Sequence, residues 1–299
     1  MLKEKGILGQ IGNTPLIETE SLVSNKKNVK LLLKLEGNNP GGSVKDRPVY
    51  NMVAEAIRRG DIRKGGRLVE ATSGNTGIAL AYVSKLFGLD ISLVMPENST
   101  EERVKTMQAY GAKVILTPSE IGIEGSRDVA FKMRDEEGYV LLNQFENEDN
   151  WKAHYKTTGP EIWKDTEGKV THFVSAMGTT GTIMGTSTYL KEKNKDITIV
   201  GAQPKDGSRI PGIRKWSPDY VPTIFDRSKV DRVIEVSEEE ARAMTRKLAR
   251  QEGVFAGMSS GGAVATALKL IETIDEGVVV AIVCDRGDRY LSSPLFDEV

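Results

Sequence analysis

Asn38-Asn39-Pro40-Gly41-Gly42-Ser43-Val44-Lys45-Asp46-Arg47 is a Gly-rich run between two segments of different character. Before it, Leu31-Leu32-Leu33-Lys34-Leu35 is apolar enough for a buried strand. After it, residues 49–57 read as a helix. Lys45 therefore stands where a loop enters a helix N-terminus. The helix dipole is already positive there, so a second positive charge is disfavoured. A lysine whose ammonium form is disfavoured suits Schiff-base chemistry. Taken alone, Lys45 reads as a solvated loop lysine, and it is the rest of the chain that overturns that reading. Gly37 and Gly42 have the spacing of a P-loop, but Ser43 follows Gly42 and Lys45 lies three positions past it. A P-loop needs Gly-Lys-Ser/Thr in register, so a nucleoside triphosphatase is disfavoured.

Working outward, the same strand–loop–helix grammar repeats. After a charged turn at 25–28, the strand at 31–35 and a helix over 48–59, a strand falls at 67–71 and a helix at 78–87. Strands follow at 91–95, 113–116 and 139–142, with intervening helices ending near Tyr110 and spanning 124–137. Ser99 or Thr100, with Glu102 close by, is a capping-box candidate. Residues 143–160 are polar and weakly periodic, which places a change of domain near 149. The rhythm resumes with strands at 172–176, 197–201, 232–236 and 278–283 and helices at 183–191 and 238–252. Ser237 caps the last of these helices and Gly253 ends it. The run 278–283 is almost purely β-branched, as a central buried strand should be. Strands alternating with helices of this length imply βαβ units. The expected fold is α/β: domains at 1–149 and 150–299, each a mainly parallel twisted sheet flanked by helices. The first strands are able to join the second sheet.

Composition narrows the chemistry. The chain has 299 residues, 39% apolar, with 41 Lys plus Arg against 42 Asp plus Glu. That balance argues against nucleic acid or an anionic membrane as the main partner. No apolar run reaches about 18 residues, the length of a membrane span. Residues 1–6 carry no apolar leader. The single cysteine, Cys284, excludes an internal disulfide and fits a reducing, cytoplasmic compartment. Two histidines, His154 and His172, cannot build a His-rich metal site, so no metal is expected. An enzyme so short of His and Cys would take its reactive group from a cofactor.

Three small-residue loops each follow an apolar strand and precede a helix: Thr72-Ser73-Gly74-Asn75-Thr76-Gly77, Gly178-Thr179-Thr180-Gly181-Thr182, and residues 257–262. In open α/β sheets such loops lie at the carboxyl ends of strands, where ligands bind. The second suits a phosphate, through glycines, hydroxyls and a following helix N-terminus. It serves equally as a tight turn without ligand. Ser259 or Ser260 reads as the N-cap of the following helix. None of these loops is Gly-x-Gly-x-x-Gly, so a dinucleotide site is disfavoured. Residues 204–228 carry four prolines, and loops of that length inside a compact domain are usually functional.

Together with Ile11-Gly12-Asn13-Thr14-Pro15-Leu16, these motifs resemble the fold-type II pyridoxal-phosphate enzymes, and among them the cysteine synthases (O-acetylserine sulfhydrylases). Thr157-Thr158-Gly159-Pro160-Glu161-Ile162 and residues 284–292 resemble the B-type isozymes in particular. The resemblance implies an active site in the cleft between the domains, with pyridoxal 5′-phosphate held by Lys45 as a Schiff base. It implies that Asn75 meets the ring oxygen and Ser259 the pyridine nitrogen, and that Gly178, Thr179, Thr180, Gly181 and Thr182 hold the phosphate. Thr72, Ser73, Gly74, Thr76 and Gln144 would hold the substrate carboxylate. Lys45 would also serve as base for the α-proton. A serine at the pyridine nitrogen holds a proton less firmly than an acid would, which favours expulsion of a β-leaving group. The implied reaction is β-replacement, making L-cysteine from O-acetyl-L-serine and sulfide by a ping-pong course in a homodimer. Arg214 suits an anionic donor such as thiosulfate, giving S-sulfocysteine, or a phosphorylated serine. O-phosphoserine dependence, a serine/threonine dehydratase and a cystathionine β-synthase are the alternatives within the family. A regulatory binder without chemistry is the alternative outside it.

Overall fold

The computed structural model describes residues 6–23 and 28–297. Residues 1–5, expected to carry no apolar leader, and most of the charged turn read at 25–28 lie outside the described residues. The chain opens with β1 (Leu16–Glu18) and β2 (Val29–Leu35), then α1 (Asp46–Arg59), which Gly60 stops in the left-handed conformation at φ 86°. β3 (Arg67–Ala71), α2 (Asn75–Leu86), β4 (Asp90–Pro96), α3 (Glu101–Ala109), β5 (Lys113–Thr117), α4 (Gly122–Glu137) and β6 (Val140–Leu141) follow in strict alternation. These strands form a four-stranded parallel sheet in the order β5-β4-β3-β6.

Next come two helices, α5 (Glu148–Lys156), within the stretch 143–160 read as polar and weakly periodic, and α6 (Thr158–Asp165), which begins in it. Their buried residues are few, among them Ala153, His154 and Ile162, too few to make a periodic pattern. Pro160 does not interrupt α6, because a first-turn N–H has no intrahelical partner to lose. The chain continues through β7 (His172–Ala176), α7 (Gly181–Lys193), β8 (Thr198–Pro204), β9 (Arg232–Val236), α8 (Glu238–Glu252), α9 (Met258–Ile271) and β10 (Gly277–Val283). The second sheet has the order β1-β2-β10-β7-β8-β9 and is parallel except for β1. The early strands β1 and β2 thus do join the sheet of the later half.

β10 is a central strand, as its β-branched run suggests. Val279, Ala281 and Val283 pack on one face with Leu31, Leu33 and Leu270. Val280 and Ile282 pack on the other with Phe173, Ile183 and Ile199. Both faces of the sheet are covered, which is the condition for a parallel sheet. The capping box at Ser237 is present, with Glu240 answering back to the Ser237 N–H at 2.6 Å. Two other capping expectations are corrected. Thr100 sits at the N-cap position of α3 but accepts no capping bond, and the Ser99 hydroxyl donates to the Pro96 carbonyl instead. Gly257, not Ser259 or Ser260, is the N-cap of α9, so both serines lie inside the first turn. None of the helices among the described residues is long and apolar enough to cross a membrane.

Candidate active site

The loops after β2, β3, β7 and β10 meet at one cleft of about 620 Å³ between the two sheets. After β2 the chain turns back and is laced to the end of β10. The Val44 N–H donates to the Cys284 carbonyl at 2.8 Å, and Ser43 bridges to Asp285. That lacing leaves Lys45 as the N-cap residue of α1, lining the cleft. Protein packed around its side chain excludes water and holds its pKa below the ordinary lysine value, while Cys284 and Asp285 pull partly the other way. The shift has the direction expected from the sequence, but burial, rather than the helix dipole, is its main cause.

The loop Thr72–Thr76 faces Lys45 from the first sheet. Gly74 is the N-cap of α2, and a Cβ placed there would meet nothing within 4 Å, so the backbone lies open to the cleft. The first turn of α2 carries no acidic side chain, which leaves its N–H groups suited to a carboxylate. The Thr76 hydroxyl donates to Gln144 Oε1 at 2.8 Å. Asn150 then joins two corners of the site: its Nδ2 donates to the Gln144 carbonyl at 2.6 Å and to Thr179 Oγ1 at 3.2 Å.

The loop before α7 has the features of an anion cradle. Gly178, Thr179, Thr180 and Thr182 line the cleft. Thr180 is held left-handed at φ 70°, and its buried hydroxyl has no hydrogen-bond partner among the described residues. A strained residue with an orphaned donor at a helix N-terminus is a poor tight turn and a good phosphate site. Gly181 differs from its neighbours: it lies behind the wall, and a Cβ there would sit 2.0 Å from Asn150 Oδ1. Its smallness serves packing against Asn150, not approach to a ligand.

The proline-rich connection forms the third wall. The Trp216 indole N–H donates to the Gly178 carbonyl at 3.0 Å, and the Arg214 N–H donates to the Met177 carbonyl at 2.8 Å. Gly212, left-handed at φ 88°, presses on buried Ser259, leaving only 3.0 Å between a would-be Cβ and Ser259 Cβ. Arg214 is exposed at the mouth with its guanidinium 5.2 Å from the Trp216 ring centre. Cys284 also lines the cleft, but burial pushes its thiol up to about 11, so it is not a ready nucleophile. Buried His154 is held well below the ordinary histidine value and lies between Thr158 Oγ1 and Thr182 Oγ1.

The candidate cofactor- and substrate-binding residues taken from the resemblance thus line this cleft, except Gly181, which lies just behind it. Sequence reading assigned no role to Asn150, Asp285, Arg289 or Tyr290. Their run at the carboxyl end of the central strand carried a signal for the last three, since that is where ligands sit in open α/β sheets.

Fold and site together define a class: α/β enzymes that hold a phosphorylated carbonyl cofactor on a buried lysine between two parallel sheets. The family model described as pyridoxal-phosphate dependent enzyme matches residues 7–285. Cysteine synthase B of Pseudomonas aeruginosa is 56% identical, over 96% of this chain and 96% of that one. Cysteine synthase B of Escherichia coli K12 is 53% identical, over 96% and 95%. The crystal structure of cysteine synthase from Entamoeba histolytica superposes with a TM-score of 0.92 at 38% identity, covering 98% of this chain and 90% of that one. The chain belongs to the pyridoxal-phosphate-dependent enzyme family, with the fold-type II architecture, and its cofactor is pyridoxal 5′-phosphate.

Proposed function

We propose that this chain is a cysteine synthase, replacing the acetate of O-acetyl-L-serine by sulfide to give L-cysteine. One observation carries the reading: a lysine whose charged form is disfavoured faces, across one cleft, an anion cradle and a bare helix N-terminus. The high identity to cysteine synthases supports it. When bound, pyridoxal phosphate supplies an electron sink for the charge that develops at the substrate's Cα.

Gly178, Thr179, Thr180 and Thr182 would hold the phosphate through N–H groups and the Thr180 hydroxyl, with Gly181 packed behind them; Ser259 would meet the pyridine nitrogen, and Asn75 the ring oxygen. Lys45 is the residue that would hold the cofactor covalently at rest. Its Nζ, once free, takes the α-proton, and the burial that disfavours the ammonium form makes it a better base at neutral pH. The N–H groups of residues 72–76 and the Thr72 and Ser73 hydroxyls, with Gln144 oriented by the Thr76 hydroxyl, would fix the substrate carboxylate and so orient the Cα–H bond toward Lys45. Arg214 favours a finer reading, in which an anionic sulfur donor such as thiosulfate is also accepted. We further propose that two copies pair, as the family resemblance implies, and that the enzyme works in the cytoplasm, which the balanced charge and single buried Cys284 support. Light scattering and cell fractionation test these two points.

The function is tested by loading the protein with pyridoxal phosphate and measuring cysteine from O-acetylserine and sulfide. Wild type should form cysteine and Lys45→Ala should not. Borohydride should fix the cofactor to Lys45, and an adduct on Lys34 would overturn the assignment. Failure of the loaded wild type to make cysteine would remove the proposed reaction.

A further inference from the structure

The Asn75 side chain lies between two charged groups from the C-terminal run. Asn75 Nδ2 donates to Asp285 Oδ2 at 2.7 Å, and Asn75 Oδ1 accepts from Arg289 Nη1. Asp285 is 1% exposed and Arg289 7% exposed, so neither contact is a solvated surface pair. The same Asp285 oxygen accepts from the Tyr290 hydroxyl at 2.8 Å, and Arg289 Nη2 also donates to the Gly41 carbonyl in the lysine loop. Residues 75 and 285 are 210 positions apart, and 75 and 289 are 214 apart, so the arrangement is a product of the fold.

The chemistry of the two partners fixes the amide. An ionised carboxylate only accepts hydrogen bonds and a guanidinium only donates them. A carboxamide turned by 180° would set its oxygen against Asp285 and its NH₂ against Arg289, losing both bonds and adding two repulsions. Asn75 therefore has one orientation. One of its two N–H bonds is taken by Asp285, and the side chain lines the cleft. What it offers a ligand is the other N–H, and the ligand atom that suits it is an acceptor.

We infer that Asp285 and Arg289 are positioning residues that lock the Asn75 carboxamide so that it presents an N–H, never its oxygen, to an acceptor atom of the bound cofactor. Asp285 and Arg289 are not among the residues lining the cleft and would act through Asn75. The inference rests on the proposed contact between Asn75 and the cofactor's ring oxygen. It explains why the run after β10 carries buried charge within reach of the cleft.

The test uses the loaded enzyme and reads two properties besides turnover: the visible absorption maximum of the bound cofactor, and its release rate into a scavenger of free pyridoxal phosphate. Asp285→Asn is nearly isosteric, and its amide can pair with either end of Asn75, so one arm of the lock is lost while Arg289 keeps the other. It should shift the absorption maximum and speed release by about tenfold, the scale of one charge-assisted hydrogen bond. Arg289→Met should do the same, and Arg289→Lys, still a pure donor, should restore the wild-type maximum. In an Asn75→Ala background, Asp285→Asn should add nothing to either reading. Circular dichroism and thermal melting of each variant identify any that fails to fold. If Asn75→Ala disturbs the cofactor while Asp285→Asn and Arg289→Met do not, the lock is overturned and the Asn75 contact stands. If Asn75→Ala itself is silent, the Asn75 contact falls and the lock falls with it. An undiminished effect of Asp285→Asn in the Asn75→Ala background would likewise overturn it.

Discussion

The Thr76 hydroxyl donates to Gln144 Oε1 at 2.8 Å, joining two loops whose residues stand 68 positions apart. Both side chains are buried, and the bond occupies the acceptor end of the Gln144 amide. The donor end is then the one offered to the cleft, which suits a carboxylate. Gln144→Glu exchanges that donor for a negatively charged acceptor without changing the shape. We expect KM for O-acetylserine to rise by about ten- to a hundredfold with a smaller change in kcat, because the lost contact is made in ground and transition states alike. Initial-rate kinetics check it, and an unchanged KM would remove Gln144 from the carboxylate site.

Gly181 bears on two corners of the site through one neighbour. A Cβ at this position would collide with Asn150, whose amide bonds both the Gln144 carbonyl and Thr179 Oγ1. Gly181→Ala should therefore weaken cofactor retention and raise KM for the amino acid together, each by about tenfold, the scale of one lost hydrogen bond to a charged ligand. Gly178→Ala meets a different obstacle, the Gly212 carbonyl at 2.7 Å, and should disturb cofactor retention alone. Spectroscopic titration with pyridoxal phosphate, beside steady-state kinetics, separates the two cases.

Glu70 gives the pH dependence of stability a definite sign. It is a buried carboxyl at the second-last position of β3, and burial pushes its pKa up to about 8 against the Asn143 N–H and Arg127, which pull it down. Between its ordinary value of 4.5 and about 8, the folded chain keeps a proton that the unfolded chain has lost. Raising the pH through that window therefore favours unfolding, and the contribution present below it is lost above it, on the order of a few kcal/mol. Asp46, raised to about 7 by burial, acts in the same direction. Glu70→Gln removes one of the two groups, so its melting temperature should gain several degrees on wild type between pH 5 and pH 8.5. A variant that lost ground over that interval would show that Glu70 is ionised in the native fold.

Periodicity made most of the fold legible. β3, β7, β9 and α8 fall on the residues expected, because each has a full apolar stripe or a closed cap. α5 and α6 were not legible, since their few apolar residues pack into a groove that only the finished fold creates. The lysine loop, the phosphate loop and the carboxylate loop were legible because glycines and hydroxyls at a strand end have few other uses. The Asn75 clamp could not be read from local sequence. It depends on residues more than 200 positions away, and buried charge near the C-terminus resembles an ordinary solvated run until a partner is found. The serines of α9 misled for a related reason: Ser is a good N-cap, but here Ser260 Oγ accepts from the Cys284 N–H at 2.9 Å and serves the join between α9 and β10.

Arg214 sets the last expectation, which concerns the sulfur donor. Its backbone is fixed by the bond to the Met177 carbonyl, so the residue is held at the cleft mouth whatever its side chain does. The guanidinium rests over Trp216 and makes no ion pair with a carboxylate among the described residues. A stacked, unneutralised guanidinium keeps its planar fork available for two oxygens of an incoming anion. Thiosulfate and O-phosphoserine offer such oxygens, whereas sulfide offers a single small atom and O-acetylserine an uncharged ester. Arg214→Ala should therefore lose about ten- to a hundredfold in kcat/KM with thiosulfate or O-phosphoserine, the scale of a contact of ~1.5–3 kcal/mol, and far less with sulfide and O-acetylserine. Arg214→Lys should recover part of the loss, because it restores the charge but not the fork. The effect on the anionic substrates should shrink as salt is added, since the residue is exposed and its field is screened. Kinetics with each donor and acceptor pair decide the matter. Equal losses for every pair, insensitive to salt, would mean that Arg214 holds the connection against Trp216 rather than selecting the substrate.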